Sequence, residues 1–229
     1  AWYMLRTLNP RTLVWDGPDA DYTPFSDDLP WCMVPEKKIT VEDVKYVLSS
    51  HYQGTPYDPY ASYGDKTMCG AYRSIGINRN DVMTLIQMRP EGEPIQWLAF
   101  ASNAFNVLVP FYATIDTTPD YFSSTTREVT TDSFYWVSRM IGAMADASYK
   151  SSIFHIERYQ ERVMSKGHQL IGKYDALLEK ESDAAKRMSL RHQANQEIAD
   201  MVKKEASDTL NKVLYELSNQ MKNAYSRSD

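Results

Sequence analysis

Residues 71–113, AYRSIGINRNDVMTLIQMRPEGEPIQWLAFASNAFNVLVPFYA, decide how this chain folds. They hold three apolar runs with tight breaks between them. Asp81–Arg89 (DVMTLIQMR) is closed by Pro90-Glu91-Gly92-Glu93-Pro94, and Ile95–Ala101 (IQWLAFA) follows. Ser102-Asn103 then leads through Ala104-Phe105-Asn106 into Val107–Ala113 (VLVPFYA). Runs of this length, rich in β-branched and aromatic residues and bounded by Pro and Gly turns, predict three strands of an antiparallel meander. Alternation puts Val82, Thr84, Ile86 and Met88 on one face of the first strand and Met83, Leu85 and Gln87 on the other. Both faces are largely apolar, so the sheet is expected to be covered on both sides by helices from before and after it.

Upstream, Trp2–Leu8 reads as helix stopped at Asn9-Pro10, because the residue before proline avoids the helical region. The stretch from there to Lys38 is turn-rich and acidic, with prolines at 10, 18, 24, 30 and 35. It reads as an ordered loop that wraps a neighbour with Trp15, Phe25 and Trp31 as anchors; a short edge strand at Thr12–Trp15 is the alternative. Thr40-Val-Glu-Asp opens a helix as a capping box with Asp43 in the Glu/Gln position, and Val44, Val47, Leu48 and His51 form its apolar face. An imidazole there is more often packed, or favoured by the helix dipole, than a catalytic base. Residues 57–66 suit a surface lining.

Downstream, Asp120–Ser123 reads as a short helix. Thr131-Asp132-Ser133 caps a strong one at Phe134–Tyr149, with Phe134, Val137, Ile141, Met144 and Ala145 as its buried stripe. From Ile153 the pattern becomes purely helical. Ile156, Tyr159, Val163, Leu170, Tyr174 and Leu177 recur at three- and four-residue steps. A break follows at Glu179–Asp183, then a second amphipathic run from Met188 through Ile198, Val202, Leu210, Val213 and Leu217 to Met221. The fold class is therefore α+β: an antiparallel meander sheet covered by helices, with a C-terminal helical hairpin. The domain reading is residues 1–150 for the sheet-bearing part and 151–229 for the hairpin extension.

At 229 residues, 43% apolar and 24% charged, the chain suits one sizeable core plus an extension. Its net charge is −5, and residues 1–150 hold 12 basic and 18 acidic groups against 13 and 12 in 151–229. Neither part offers the one-signed basic face that nucleic acid requires. No apolar run approaches the ~20 residues of a membrane span, and the N-terminus lacks the basic start and apolar stretch of a signal peptide. Ala1 reads as a position inside a longer open reading frame, and the cytoplasm is the favoured location. Cys32 and Cys69 are too few for a disulfide framework; one bridge or none is open, and redox-silent thiols are the plainer reading. Cys69 is the better nucleophile candidate, since Pro30-Trp31-Cys32-Met33 is an apolar setting. His51, His155, His168 and His192 are scattered without zinc spacing, and Gly64 and Gly70 form no phosphate loop, so no metal or cofactor is expected.

Several segments also carry a resemblance: Tyr72–Arg79 (YRSIGINR), Gln96–Phe100 (QWLAF), Ser102–Tyr112 (SNAFNVLVPFY), Val41–Lys45 (VEDVK), His51–Asp58 (HYQGTPYD) and Thr131–Trp136 (TDSFYW). Together, and in their order along the chain over roughly residues 1–165, they resemble the second half of the secernin-like cysteine dipeptidases, which belong to the N-terminal-nucleophile hydrolases. The resemblance implies an αββα sandwich, a self-processed N-terminal cysteine and hydrolysis of short peptides. The attacking thiol belongs to a half that is not here, because Ala1 has no attacking atom. That missing half is then the expected partner, with a short peptide as substrate and a homo-oligomer as a further candidate. Two rival readings stay open: a non-catalytic accessory or interaction module, and an amide hydrolase of the same superfamily acting on non-peptide amides.

Amide hydrolysis develops an oxyanion that needs aimed N–H donors. Asn103 at the strand break is the candidate donor, with Asn106 as the alternative. A dipeptide's free carboxylate suits a guanidinium clamp, for which Arg79 and Arg73, flanking the approach to the first strand, are the substrate-binding candidates.

Overall fold

The computed structural model describes residues 1–61 and 65–224; Gly64, weighed above with Gly70, lies outside them. The chain forms two compact units, Ala1–Ile77 and Asn78–Asp229. The boundary expected at 150/151 falls inside a long helix, Tyr149–Leu178.

The first unit contains α1 (Trp2–Leu8) and α2 (Val41–Leu48), joined by a loop without strands. α1 ends where the proline predicts, with Asn9 Nδ2 donating to the Leu5 carbonyl at 3.2 Å. The loop holds itself through polar contacts with its own backbone. The Glu36 carboxylate accepts from Arg11 N, Thr12 N and Thr12 Oγ1 at 2.6–2.8 Å, and the Trp15 indole donates to Asn9 O at 2.7 Å. Trp2, Tyr3 and Trp15 form the core of this unit. Of the three expected anchors only Trp15 is buried; Phe25 is 67% exposed and Trp31 fully so. The capping box is present with Asp43 at its third position. The buried face of α2 is rotated from the expected one, carrying Val41, Lys45 and Val47.

The second unit is built on β1 (Val82–Gln87), β2 (Ile95–Phe100) and β3 (Val109–Tyr112), an antiparallel meander in the order β1-β2-β3. Register pairs Val82 with Phe100 and Trp97 with Pro110. After it come α3 (Asp120–Ser123), α4 (Phe134–Ala147), α5 (Tyr149–Leu178) and α6 (Ala184–Ser218), the last two forming the expected hairpin. Asp183 caps α6, its carboxylate accepting from Lys186 N at 2.8 Å.

One sheet face, with Met83, Trp97 and Tyr112, lies under α5 and α6: the Trp97 and His168 rings are 5.0 Å apart, and Gly167 abuts Pro110. The other face is covered only toward β2 and β3, where Phe100 meets Phe134 and Phe111 meets Phe122. Coverage on both sides is therefore corrected. Val82 and Ile86 are more than half exposed, because α3 and α4 do not reach β1. β3 is an edge strand, and its open Tyr112 N–H and C=O are taken by Asn195 of α6, at 2.9 and 3.2 Å. A single amide side chain thus does what a fourth strand would do for that residue.

The hairpin seam is shifted one residue from the expected one in the second half of α5. Gly167, Ile171 and Leu178 are buried where Leu170 and Leu177 were expected. Gly167 sets this register by letting the helix close on β3. A Cβ there would stand 2.9 Å from Pro110 Cγ and 3.0 Å from its Cδ. Gly167→Ala is therefore expected to destabilise the protein by about 1–3 kcal/mol through overpacking, despite alanine's better helix propensity. Thermal unfolding of the single variant checks this; a raised melting temperature would show that the contact relaxes freely.

Candidate functional site

In the second unit the candidates gather at one end of the sheet. Ala101, at φ +60°, turns the chain sharply out of β2, and its N–H donates to the Asp81 carbonyl at 2.8 Å. That bond sets the approach to β1 beside the exit from β2. Arg79, two residues before Asp81, and Asn103, two residues after Ala101, are thereby carried to the same sheet end. Asp81 is held from a third side by Arg139 Nη1 at 2.8 Å. Arg79 is exposed, with no carboxylate engaging it among the described residues.

Both asparagines of the turn are buried. Asn106 is fully buried, and its amide donates to Ser102 O at 2.9 Å and to Ser138 O at 3.1 Å. Both amide hydrogens are thus committed to backbone carbonyls, which makes Asn106 a strut between the turn and α4. Gly142 of α4 faces the same turn, the position of a Cβ there lying at ordinary contact distance, 3.6 Å, from Asn106 Nδ2. Gln160 of α5 braces the same turn by donating to Ala104 O and Asn106 O. Asn103, also buried, sits on this braced turn.

Arg73 lies in the first unit, exposed, its carbonyl accepting from the Tyr52 hydroxyl at 2.7 Å. Both cysteines are free. Cys32 is exposed, contrary to the apolar setting read from its neighbours, because Trp31 and Val34 beside it are exposed as well. Cys69 Sγ lies 3.0 Å from Asp58 O and 3.4 Å from Pro59 O. These acceptor oxygens make a poor setting for a nucleophilic thiolate, which favours positive surroundings.

Two features of the first unit escaped the sequence reading. His51 is buried and paired with Asp58, Nδ1 to Oδ1 at 2.9 Å, while the same oxygen accepts from Tyr60 N at 2.9 Å. The only signal was that both residues bracket the tight Gly54-Thr55-Pro56 turn. Lys45 is buried with its ammonium nitrogen 2.6 Å from Ser49 Oγ, and burial lowers its pKa to about 7. The signal was a lysine four residues after Val41 on the inward face. Among the described residues no three His, Cys, Asp or Glu side chains are grouped to hold a metal ion, and no helix is long and apolar enough to cross a membrane.

Residues 1–162 match Peptidase family C69. A dipeptidase of Bifidobacterium longum (strain NCC 2705) is 43% identical over 270 residues, covering all of this chain and 51% of that protein. A probable dipeptidase A of Streptococcus pyogenes serotype M18 (strain MGAS8232) is 43% identical over 233 residues, covering all of this chain and 47% of its own length. A probable dipeptidase B of Lactococcus lactis subsp. lactis (strain IL1403) is 33% identical, covering 96% and 47%. The chain spans about half the length of the curated relatives it matches.

Proposed function

The chain belongs to peptidase family C69, and we propose that it is the C-terminal portion of a cysteine dipeptidase that hydrolyses short peptides. The nucleophilic cysteine is then carried by a part of the complete enzyme outside these residues. The dipeptidase names of the relatives and the half-length coverage support this reading.

In the complete enzyme the thiol of an N-terminal cysteine attacks the scissile carbonyl. Its own α-amino group, with an ordinary pKa of about 7.7–8.0, takes the proton and later passes it to the leaving amine. The carbonyl oxygen becomes an oxyanion, which the Asn103 amide stabilises by donating to it. The Arg79 guanidinium holds the peptide's carboxylate through paired hydrogen bonds. The observation that carries these assignments is the Asp81–Ala101 hydrogen bond, which sets the arginine and the asparagine at one sheet end. The bare half of the other sheet face, around Val82 and Ile86, then packs against the rest of an αββα sandwich.

The purified 229-residue chain and the full-length enzyme, assayed on one panel of dipeptides and acyl amides, test the proposal. Turnover of dipeptides is expected only from the full-length enzyme. Activity of the chain that survives repurification and vanishes in Cys69→Ala would overturn the placement of the nucleophile. Hydrolysis of acyl amides with no dipeptide turnover would overturn the substrate class.

A further inference from the structure

Between β2 and β3 of the second unit, residues 101–108 form a largely buried turn with no strand or helix to pair its backbone. Buried carbonyls need partners, and here side-chain amides supply them. Ser102 O accepts from Asn106 Nδ2 at 2.9 Å, while Ala104 O and Asn106 O accept from Gln160 Nε2 at 3.0 and 3.2 Å. An amide NH2 carries two hydrogens, so both of those on Gln160 go to this turn.

Gln160 is one of several points at which α5 lies along this part of the chain. The Phe105 ring meets that of Tyr149 edge to face, with centroids 6.3 Å apart at 68°. Gly167, two helical turns beyond Gln160 and on the same face, abuts Pro110. One turn further, the Ile171 carbonyl accepts from the Tyr112 hydroxyl at 3.0 Å. The chain from Phe105 to Tyr112 is thus laid against a single helix, and Gln160 is where that helix grips the turn by hydrogen bonds.

What the grip does to Asn103 follows from peptide geometry. Each peptide unit is planar, so fixing a carbonyl fixes the whole amide plane that carries it. Asn103 stands between Ser102 and Ala104, whose carbonyls are both tied. Ahead of it, Ala101 at φ +60° is held by its N–H bond to Asp81 O. The Ser102 tie comes from the turn itself and the Ala101 tie from the approach to β1. Only the Gln160 pair comes from the hairpin.

We propose that Gln160 is a positioning residue for the hydrolysis. It holds residues 104–106 in the place from which the Asn103 side chain meets the developing oxyanion. This rests on the oxyanion role given to Asn103 above. Gln160 acts through the turn and touches no reacting atom. A donor aimed at an oxyanion loses much of its effect when displaced, so losing Gln160 lowers kcat and leaves KM. The hairpin thereby enters the reaction as the frame of the oxyanion turn. Gln160 is only half-buried, so its removal is expected to cost less stability than removal of the wholly buried Asn106.

The test uses the full-length enzyme and the dipeptide it turns over fastest in the panel above. Four variants are compared with wild type: Gln160→Met, Gln160→Glu, Asn103→Ala and the double variant Asn103→Ala/Gln160→Met. Methionine keeps the length of the side chain and removes its donors. Gln160→Met is expected to lower kcat about tenfold with KM nearly kept. In the Asn103→Ala background the same change should lower kcat less than about twofold, because both residues act through one donor. Gln160→Glu should behave like Gln160→Met at pH 8, where a carboxylate has no hydrogen to give. Two facing carbonyls favour the protonated acid, so its kcat relative to wild type should rise at least about threefold by pH 5.5. A brace that only held the fold would lower the melting temperature and cost the same factor in both backgrounds. Wild-type kcat in a folded Gln160→Met, or a full tenfold loss repeated in the Asn103→Ala background, would overturn the proposal. Should Gln160→Met fail to fold, a Gln160→Glu loss identical at pH 8 and 5.5 would overturn it instead. An unaffected Gln160→Met beside an Asn103→Ala that loses about 100-fold sinks the positioning role alone. Wild-type constants in Asn103→Ala sink the donor reading and the positioning role with it.

Discussion

Asn103→Ala in the full-length enzyme is expected to lower kcat about 100-fold, or about 3 kcal/mol, with little change in KM. The effect falls on kcat because an oxyanion donor gains strength only as the carbonyl oxygen takes on charge. Arg79→Ala is expected to show the opposite pattern, a raised KM with kcat nearly kept, since a carboxylate clamp binds substrate and transition state alike. Asn106→Ala serves as the structural comparison. It leaves the Ser102 and Ser138 carbonyls without their donor in a buried turn, so its loss should appear as a lowered melting temperature before any kinetic change. Kinetics and melting curves on the three single variants separate these cases. Wild-type constants for a well-folded Asn103→Ala would remove the oxyanion role, and an unchanged KM in Arg79→Ala would remove the clamp.

That comparison also marks where the sequence stops being informative. Asn103 and Asn106 are the same residue three positions apart, and no local pattern ranks one above the other. What only packing adds is the bond from Asn106 to the Ser138 carbonyl of α4. The meander, by contrast, was legible because its signals are local. Prolines and a glycine close the first strand, alternation assigns its faces, and Thr40 with Asp43 announces α2 within four residues. The extent of sheet coverage was not local, since it depends on how far α3 and α4 reach across β2. Nor was the closing of the β3 edge by Asn195, 83 residues away, which reads in sequence as one more polar position on an amphipathic helix. His51 and Asp58 were within reach as a pair only through the turn between them. Lys45 was missed because a lysine on an inward helix face runs against its usual exposure.

Glu93→Ala is expected to destabilise the protein by about 3 kcal/mol at neutral pH, as does removal of one partner from a largely buried ion pair. Glu93 lies in the turn between β1 and β2, and its Oε1 meets Arg187 Nη2 at 2.5 Å and Arg191 Nη2 at 2.8 Å, both on α6. Its Oε2 accepts from Thr114 Oγ1 at 3.0 Å. The same turn is tied to α5, because Arg89 donates to Glu93 O and forks onto Asp175. This turn therefore clips the sheet to both helices of the hairpin. Burial alone would raise the carboxyl's pKa, but hydrogen bonds from Arg191, Arg187 and Thr114 outweigh it and bring the pKa from 4.5 to about 2. A carboxylate lowered on folding contributes stability that is complete above the unfolded value and disappears as pH falls through the folded one. The gap between wild type and Glu93→Ala should accordingly be widest above pH 5 and narrow steadily between pH 4.5 and 2. Glu91→Ala, in the same turn but exposed, should shift stability by less than about 0.5 kcal/mol at every pH. Urea unfolding of the three proteins at pH 7, 4 and 3 measures both effects. A gap that stays constant from pH 7 to 3 would mean that Glu93 acts through packing, and that the arginine fork does not hold the hairpin to the sheet by charge.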